Sequence, residues 1–455
     1  MIEPSELLER IWQRDPTVWT GRDEASWLGW LDEPRRMRQR APELREFGEA
    51  ARAEFTAFVL LGMGGSSLAP EVFRQTFGAA GFHVLDTTHP QAIRRLEESL
   101  DLKRTLFVAS SKSGTTLETR SHLDYFWERA GRRGRQFAVV TDPGSKLEEL
   151  AREREFRAAF AGEPTIGGRY SALSAFGLVP AVLQGVDLER LLTRVEEMIE
   201  ACRVAEDNPG LELGLAFGRG WESGRDKICI NPNPGGFGLW AEQLIAESTG
   251  KEGKGLVPAP GEAPDGGPDR QPGEVRVDDP YDLGAEFFRW ELATAVAGAI
   301  LGINPFDQPN VQEAKDKTNE VLSGHDPGTA PGTGPERTVD DVLAQAHEGN
   351  YVAIQAFIDP AREPELSPLI ARAHETGCVV THGLGPRYLH STGQLHKGGP
   401  PIGLFIQVSD ETGGEIPIPS RKFGFGRLIR AQAQGDYSTL TARGRPVARV
   451  RLEDL

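Results

Sequence analysis

With 455 residues and a formal net charge of -16, the chain is long enough to bury a large core in two or three domains. It is too acidic for a nucleic-acid groove or an anionic membrane surface, since both reward clustered Lys and Arg. The start, Met1-Ile2-Glu3-Pro4-Ser5-Glu6, lacks the apolar segment of a secretory signal, no apolar run nears membrane-spanning length, and Cys202, Cys229 and Cys378 are odd in number without metal-ligand spacing, which together predict a reduced, cytoplasmic protein with no membrane or nucleic-acid partner.

Glu6 to Ala53 is charged, with Trp12, Trp19, Trp27 and Trp30 interspersed, and predicts helices on the outside of a later core, without chemistry of their own. From Ala57 the pattern changes. Phe58-Val59-Leu60-Leu61, Val84-Leu85, Leu106-Phe107-Val108 and Phe137-Ala138-Val139-Val140 alternate with amphipathic helices, the signature of βαβ units around a buried parallel sheet. A second sheet is expected to begin at Lys227-Ile228-Cys229-Ile230 and continue through Tyr351 to Ile354, Cys378 to Val380, Gly403 to Ile406 and Val447 to Val450. The Pro/Gly-rich intervals Val257 to Asp279 and Ser323 to Pro335 predict loops. The fold class is thus α/β, with an N-terminal helical segment over 1–53, a first sheet domain over 54–207 and a second over 208–455, the boundary lying near Asn208-Pro209-Gly210.

Two loops carry the strongest chemical signal. Gly62-Met63-Gly64-Gly65-Ser66-Ser67 and Ser110-Ser111-Lys112-Ser113-Gly114-Thr115-Thr116 each follow a β-rich run and lead into a helical pattern. Backbone N–H groups and hydroxyls at a helix N-terminus make a phosphate cradle, which points to a small phosphorylated substrate. Arg169, in Gly167-Gly168-Arg169-Tyr170-Ser171, offers a fixed charge and a planar fork of donors for a phosphate or an enediolate oxygen; a loop Arg more often pairs with a surface carboxylate. Glu247 stands just before Ser248-Thr249-Gly250, where a helix would end at a cleft. Lys315 falls two turns into a helix that follows Asn304-Pro305-Phe306-Asp307-Gln308-Pro309, a position that is usually solvated. In the polar segment Tyr388 to Gly399, either His390 or His396 could be a structural, hydrogen-bonded residue.

Taken together these segments resemble the phosphoglucose isomerase family, whose fold is a pair of sugar-isomerase (SIS) domains, each a mostly parallel sheet flanked by helices. The resemblance rests on six motifs between Phe58 and Leu452: Gly62 to Ser67, Ser111 to Thr116, Gly167 to Ser171, Glu247 to Lys251, Phe306 to Pro309 with Lys315, and Leu389 to Gln394. It implies that Ser66, Ser111, Ser113 and Thr116 hold a sugar phosphate with Lys112 adding charge, and that Glu247 moves a proton between C2 and C1. It also implies that Arg169 and the backbone of Gly168 face the cis-enediolate, that His390 and Lys315 open the pyranose ring, and that Gln308 is an active-site glutamine. The implied reaction, isomerisation of glucose 6-phosphate and fructose 6-phosphate, needs a returning base and fixed positive charge but no redox partner, so neither cofactor nor metal is expected.

His390 follows Lys315 here, whereas the common isomerases place the His segment before the Gln and Lys. That order looks like the isomerase half of bifunctional transaldolase–phosphoglucose isomerases; the chain starts so close to the first sheet that no transaldolase barrel is expected before it. A homodimer and functional partnership with a separate transaldolase are what the resemblance implies. A same-fold isomerase of mannose 6-phosphate or a sulfonated hexose, and a non-catalytic sugar-phosphate sensor, are the competing functions. A sensor needs the cradle but has no use for Glu247, Arg169, Lys315 and His390 together, and no basic DNA-binding helix is evident.

Overall fold

The computed structural model describes residues 3–323, 337–410, 412–419 and 421–455, with the side chains of 311–315 outside the description. The first sheet is β1 (Ala57–Leu61), β2 (Phe82–Leu85), β3 (Thr105–Ser110), β4 (Phe137–Thr141) and β5 (Ala158–Ala161), all parallel in the order β2-β1-β3-β4-β5. Each central strand is apolar on both faces because helices cover both. Phe58, Leu60, Leu106, Val108, Ala138 and Val140 join one core, and Val59, Leu61, Phe107, Ala109, Phe137 and Val139 join the other, as the two-residue period of a strand demands. The strand β5 was not among those expected.

The expected second sheet is two sheets. β6 (Lys227–Ile230) pairs with β7 (Val257–Pro260) and β8 (Arg270–Pro272) in the order β7-β6-β8, while β9 (Tyr351–Phe357), β10 (Val379–Leu384), β11 (Gly403–Ser409) and β12 (Val447–Arg451) form a separate parallel sheet in the order β10-β9-β11-β12. The interval Val257 to Asp279, expected to be loop, therefore supplies two strands; most of the other expected loop, 324–335, lies outside the described residues. The break between the sheets has a physical cause. Val257 and Gly261 donate their N–H groups toward β6, to Asp226 and Ile230, so the intervening Pro258 and Pro260 face the free edge, where they have no N–H to offer. On the β10 side the Val380 N–H donates to the Glu262 carboxylate (2.8 Å), which stands where a partner strand's carbonyl would be.

The N-terminal segment is more deeply engaged than expected. Leu7, Leu8, Ile11, Trp19 and Trp30 are buried in the same core as β1, β6 and the helices Ala175–Leu183, Leu188–Ala201 and Asp282–Leu301. Among the described residues no helix is long and apolar enough to cross a membrane, and no group of three or more His, Cys, Asp or Glu is placed to hold a metal ion.

Candidate active site

The strand order places the site. From β1 the chain goes to β2 on one side and then crosses to β3 on the other, so the C-terminal ends of β1 and β3 form a topological switch point, where parallel sheets bind ligands. Leu61 is paired with Ala109, and the loops Gly62–Ser67 and Ser111–Thr116 emerge side by side. In the first loop the glycines are required by close approach. Gly64 has φ +55°, and a Cβ on Gly65 would stand 1.9 Å from the Gly168 carbonyl oxygen. The two turns Gly64–Ser66 and Gly168–Tyr170 therefore touch backbone to backbone, which brings Ser66 and Gly168 to one place. In the second loop Gly114 has φ +68°, the Ser111 and Thr116 hydroxyls are 2.9 Å apart, and those of Ser113 and Thr115 are 2.9 Å apart. Lys112 is the exception. Its ammonium is spent on Asp142 and on the carbonyls of Glu163 and Pro164, so it ties this loop to the segment leading into Gly168 rather than pointing a free charge at the cradle.

Arg169 is not a surface-paired loop residue: it is 1% exposed. Nε donates to Ser248 Oγ (2.9 Å), Nη1 to Gln308 Oε1 (2.9 Å), and Nη2 to the carbonyls of Pro305 (2.8 Å) and Asp307 (2.9 Å). Nη1 also lies 3.6 Å from Glu247 Oε2. Glu247 is on the last turn of the helix Gly238–Thr249, buried, and one helical turn after Gln243. The Gln243 amide donates both to Glu247 Oε2 (3.0 Å) and to the His390 carbonyl (2.8 Å), so one side chain joins the base position to the histidine segment.

His390 closes the short turn Arg387–His390 after β10, and its Nε2 lies 3.0 Å from Glu118 Oε1. Glu118 is in the first turn of the helix Leu117–Arg129 that follows the second loop, and it also accepts from Gln432 Nε2 (2.7 Å). His390 is thereby bound to the cradle side of the site. His396 is elsewhere. It is buried among Tyr351, Tyr388 and Phe405 with Nδ1 against Gln355, and burial, with Lys397 and Arg445 nearby, pushes its pKa well below the ordinary histidine value. A neutral core histidine is the result. Lys315 falls in the helix Val311–Leu322, and its side chain lies outside the described residues.

The structure thus brings together Ser66, Gly168, Arg169, Glu247, Gln308 and His390, with Ser111, Ser113 and Thr116 on the adjacent loop. Sequence reasoning missed Gln243 and Glu118, and gave no role to Ser248 and Lys251, which stand in the Glu247 to Lys251 motif. Gln243 was detectable as a polar residue four positions before Glu247; Glu118 was not, since it meets His390 across 272 residues.

Residues 34–220 match the phosphoglucose isomerase family model. Over 215 residues the chain is 37% identical to a glucose-6-phosphate isomerase of Gloeothece citriformis, covering 44% of this chain and 40% of that one. Over 177 residues it is 41% identical to a glucose-6-phosphate isomerase of Thermus thermophilus, covering 37% and 42%. The matched part thus spans about two fifths of these relatives' length. A crystal structure of a hypothetical protein from Thermus thermophilus superposes with a TM-score of 0.50 at 22% identity, covering 98% of this chain and 83% of that one. A glucose-6-phosphate isomerase structure from Chlamydia trachomatis gives 0.55 at 20% identity, covering 70% and 78%. These two show a shared fold. The family match takes in both hydroxyl-rich loops and Arg169, so over residues 34–220 the chain is similar to phosphoglucose isomerases.

Proposed function

We propose that the chain interconverts glucose 6-phosphate and fructose 6-phosphate. The observation that carries this reading is the buried Arg169 guanidinium 3.6 Å from the Glu247 carboxylate, beside two hydroxyl-lined loops at the switch point. The hydroxyls of Ser66, Ser111, Ser113 and Thr116 hold the phosphate. Glu247 takes the proton from C2 and returns it to C1; with Oε2 held by Gln243, Oε1 is the oxygen left for the transfer. Arg169 supplies fixed charge where the enediolate oxygens develop, with the Gly168 backbone beside it and Gln308 on its Nη1. His390, with Nε2 toward Glu118, keeps Nδ1 for the ring-opening proton transfer, and Lys315 is assigned to the same step by its motif. C1 is reduced and C2 oxidised within one molecule, so the electron count closes without an external redox partner.

The same reading divides the chain into the helical segment 1–53 and sugar-isomerase domains over 54–207 and 208–455, and it includes a homodimer, functional partnership with a separate transaldolase and a cytoplasmic location. The location is supported by three buried, unpaired cysteines. The test is a coupled assay of fructose 6-phosphate conversion by the purified chain, run in parallel with mannose 6-phosphate and a sulfonated hexose. Preferential turnover of fructose 6-phosphate is expected. Preference for another hexose would replace the substrate, and sugar-phosphate binding without turnover would make the protein a sensor.

A further inference from the structure

We propose that Lys251 is a positioning residue of this site, clamping the loop that carries Gln308 and so holding the Arg169 guanidinium beside the Glu247 carboxylate. The inference rests on the isomerase reading only for its kinetic readout.

Lys251 lies just past the end of the helix Gly238–Thr249, and its side chain is 1% exposed. Nζ donates to the Asn304 carbonyl (2.8 Å), to the Asp307 carbonyl and to Asp307 Oδ1 (2.7 Å). Arg169 draws on the same loop through the carbonyls of Pro305 and Asp307 and the Gln308 side chain. Two buried cations therefore share the Asp307 carbonyl oxygen. Between them they turn the carbonyls of 304, 305 and 307 inward, which leaves the Gln308 side chain as the group presented to Nη1. Most of the donors that orient Arg169 are spent on this loop, with Ser248 the one exception. What fixes the loop therefore fixes the guanidinium.

A buried ammonium is a costly way to hold a loop, because it loses its hydration and its rotamer freedom. Its four-group setting is balanced, with Arg169 and Lys251 against Glu247 and Asp307. Without the Lys251 charge, Arg169 is the remaining cation for two carboxylates, and the 3.6 Å gap to Glu247 is no longer set by a tethered loop. Burial first, and then the Arg169 charge, draw the Lys251 pKa down to about 8, against the opposing pull of Asp307 and Glu247. Lys254, the next lysine after Lys251, donates to the Leu301 carbonyl at the end of the helix Asp282–Leu301 that leads into this loop (2.7 Å). Loss of the proton from Lys251 above that pH would slacken the clamp in the wild-type protein.

The test compares wild type, Lys251→Met, Lys251→Arg and Asp307→Asn, each checked for an unchanged melting transition. In Lys251→Met, kcat is expected to fall roughly 10-fold or more, the scale for misplacing a group that must be held in a fixed geometry. The wild-type pH profile should show a basic limb near pH 8 that is absent from Lys251→Met and shifted upward in Lys251→Arg, whose guanidinium does not titrate in that range. A limb from the substrate phosphate would persist in every variant. If Lys251→Met does not fold, Asp307→Asn, which takes the carboxylate charge from one of the ammonium's three contacts, should give a smaller loss of kcat with the limb displaced. Independently of turnover, the Arg169 Nε–H resonance, assigned by its loss in Arg169→Lys, should shift in Lys251→Met. A folded Lys251→Met protein with wild-type kcat, the same basic limb and an unmoved Arg169 resonance would overturn the proposal. A wild-type protein inactive on hexose phosphates would sink the isomerase reading alone, and the resonance would still decide the clamp.

Discussion

Two strand-to-helix turns in this molecule have the same local design and opposite fates. After β1, the turn Gly64–Ser66 leads into the helix Leu68–Phe77; after β6, the turn Pro234–Gly236 leads into Gly238–Thr249. Both use left-handed glycines, Gly64 in one and Gly235 and Gly236 in the other. In the first, the Ser66 hydroxyl has no hydrogen-bond partner among the described residues, and the turn opens on the Gly168 backbone. In the second, Asn233 Oδ1 accepts the Gly238 N–H (2.7 Å), and Gly235 and Gly236 press against Thr76 and Gln75. An anion site needs donors left over after the fold has satisfied itself. The first turn keeps them; the second uses them internally and serves instead to aim the helix that delivers Gln243 and Glu247.

That contrast can be broken at measurable points. The largest effect belongs to the delivered carboxylate: Glu247→Gln should lose roughly 10²–10⁴-fold in kcat, the range for a removed general base, while sugar-phosphate affinity is kept. Deuterium exchange from C2 at the wild-type rate would assign the base elsewhere. Next, Arg169→Ala should cost roughly 10²–10³-fold in kcat. A raised KM at constant kcat would make the guanidinium a uniform binding contact instead.

Gly65→Ala probes the first turn directly. Its methyl cannot coexist with a carbonyl oxygen at 1.9 Å, so the turns at Gly64 and Gly168 must separate. Denaturant titration should show a loss of about 1–3 kcal/mol, the scale of overpacking, and the displaced cradle should raise KM. The smallest effect is expected at the self-satisfied turn. Asn233→Ala removes the side-chain acceptor of the Gly238 N–H, costing about 1 kcal/mol in the same titration, with kinetic constants unchanged because no cradle group is lost. A large kinetic defect there would show that the second turn also contributes to ligand binding.

The first half of the molecule was legible because its constraints are local. Apolar strands buried on both faces read as continuous runs, and loops that need left-handed backbone and hydroxyls are written in six or seven consecutive residues. The second half was less so. Pro258 and Pro260 carried the signal that ends a sheet, but a strand whose free edge is blocked by prolines looks in sequence like a Pro/Gly-rich loop. Trp19 and Trp30 stood in a charged stretch, and only packing shows that they enter the main core.

The residue types at the site and the parallel α/β architecture were determined by the sequence alone, since strand periodicity, glycine turns and hydroxyl loops are properties of neighbouring residues. Tertiary structure decided which charges are available. Lys112 is committed to Asp142, and Lys251 to a loop more than fifty residues away. His390 meets Glu118, while His396, six residues on, is packed neutral among aromatic rings. Each of these outcomes depends on a partner distant in the chain, and the free energy of a charge or an imidazole is set by what surrounds it in space rather than by what adjoins it in sequence.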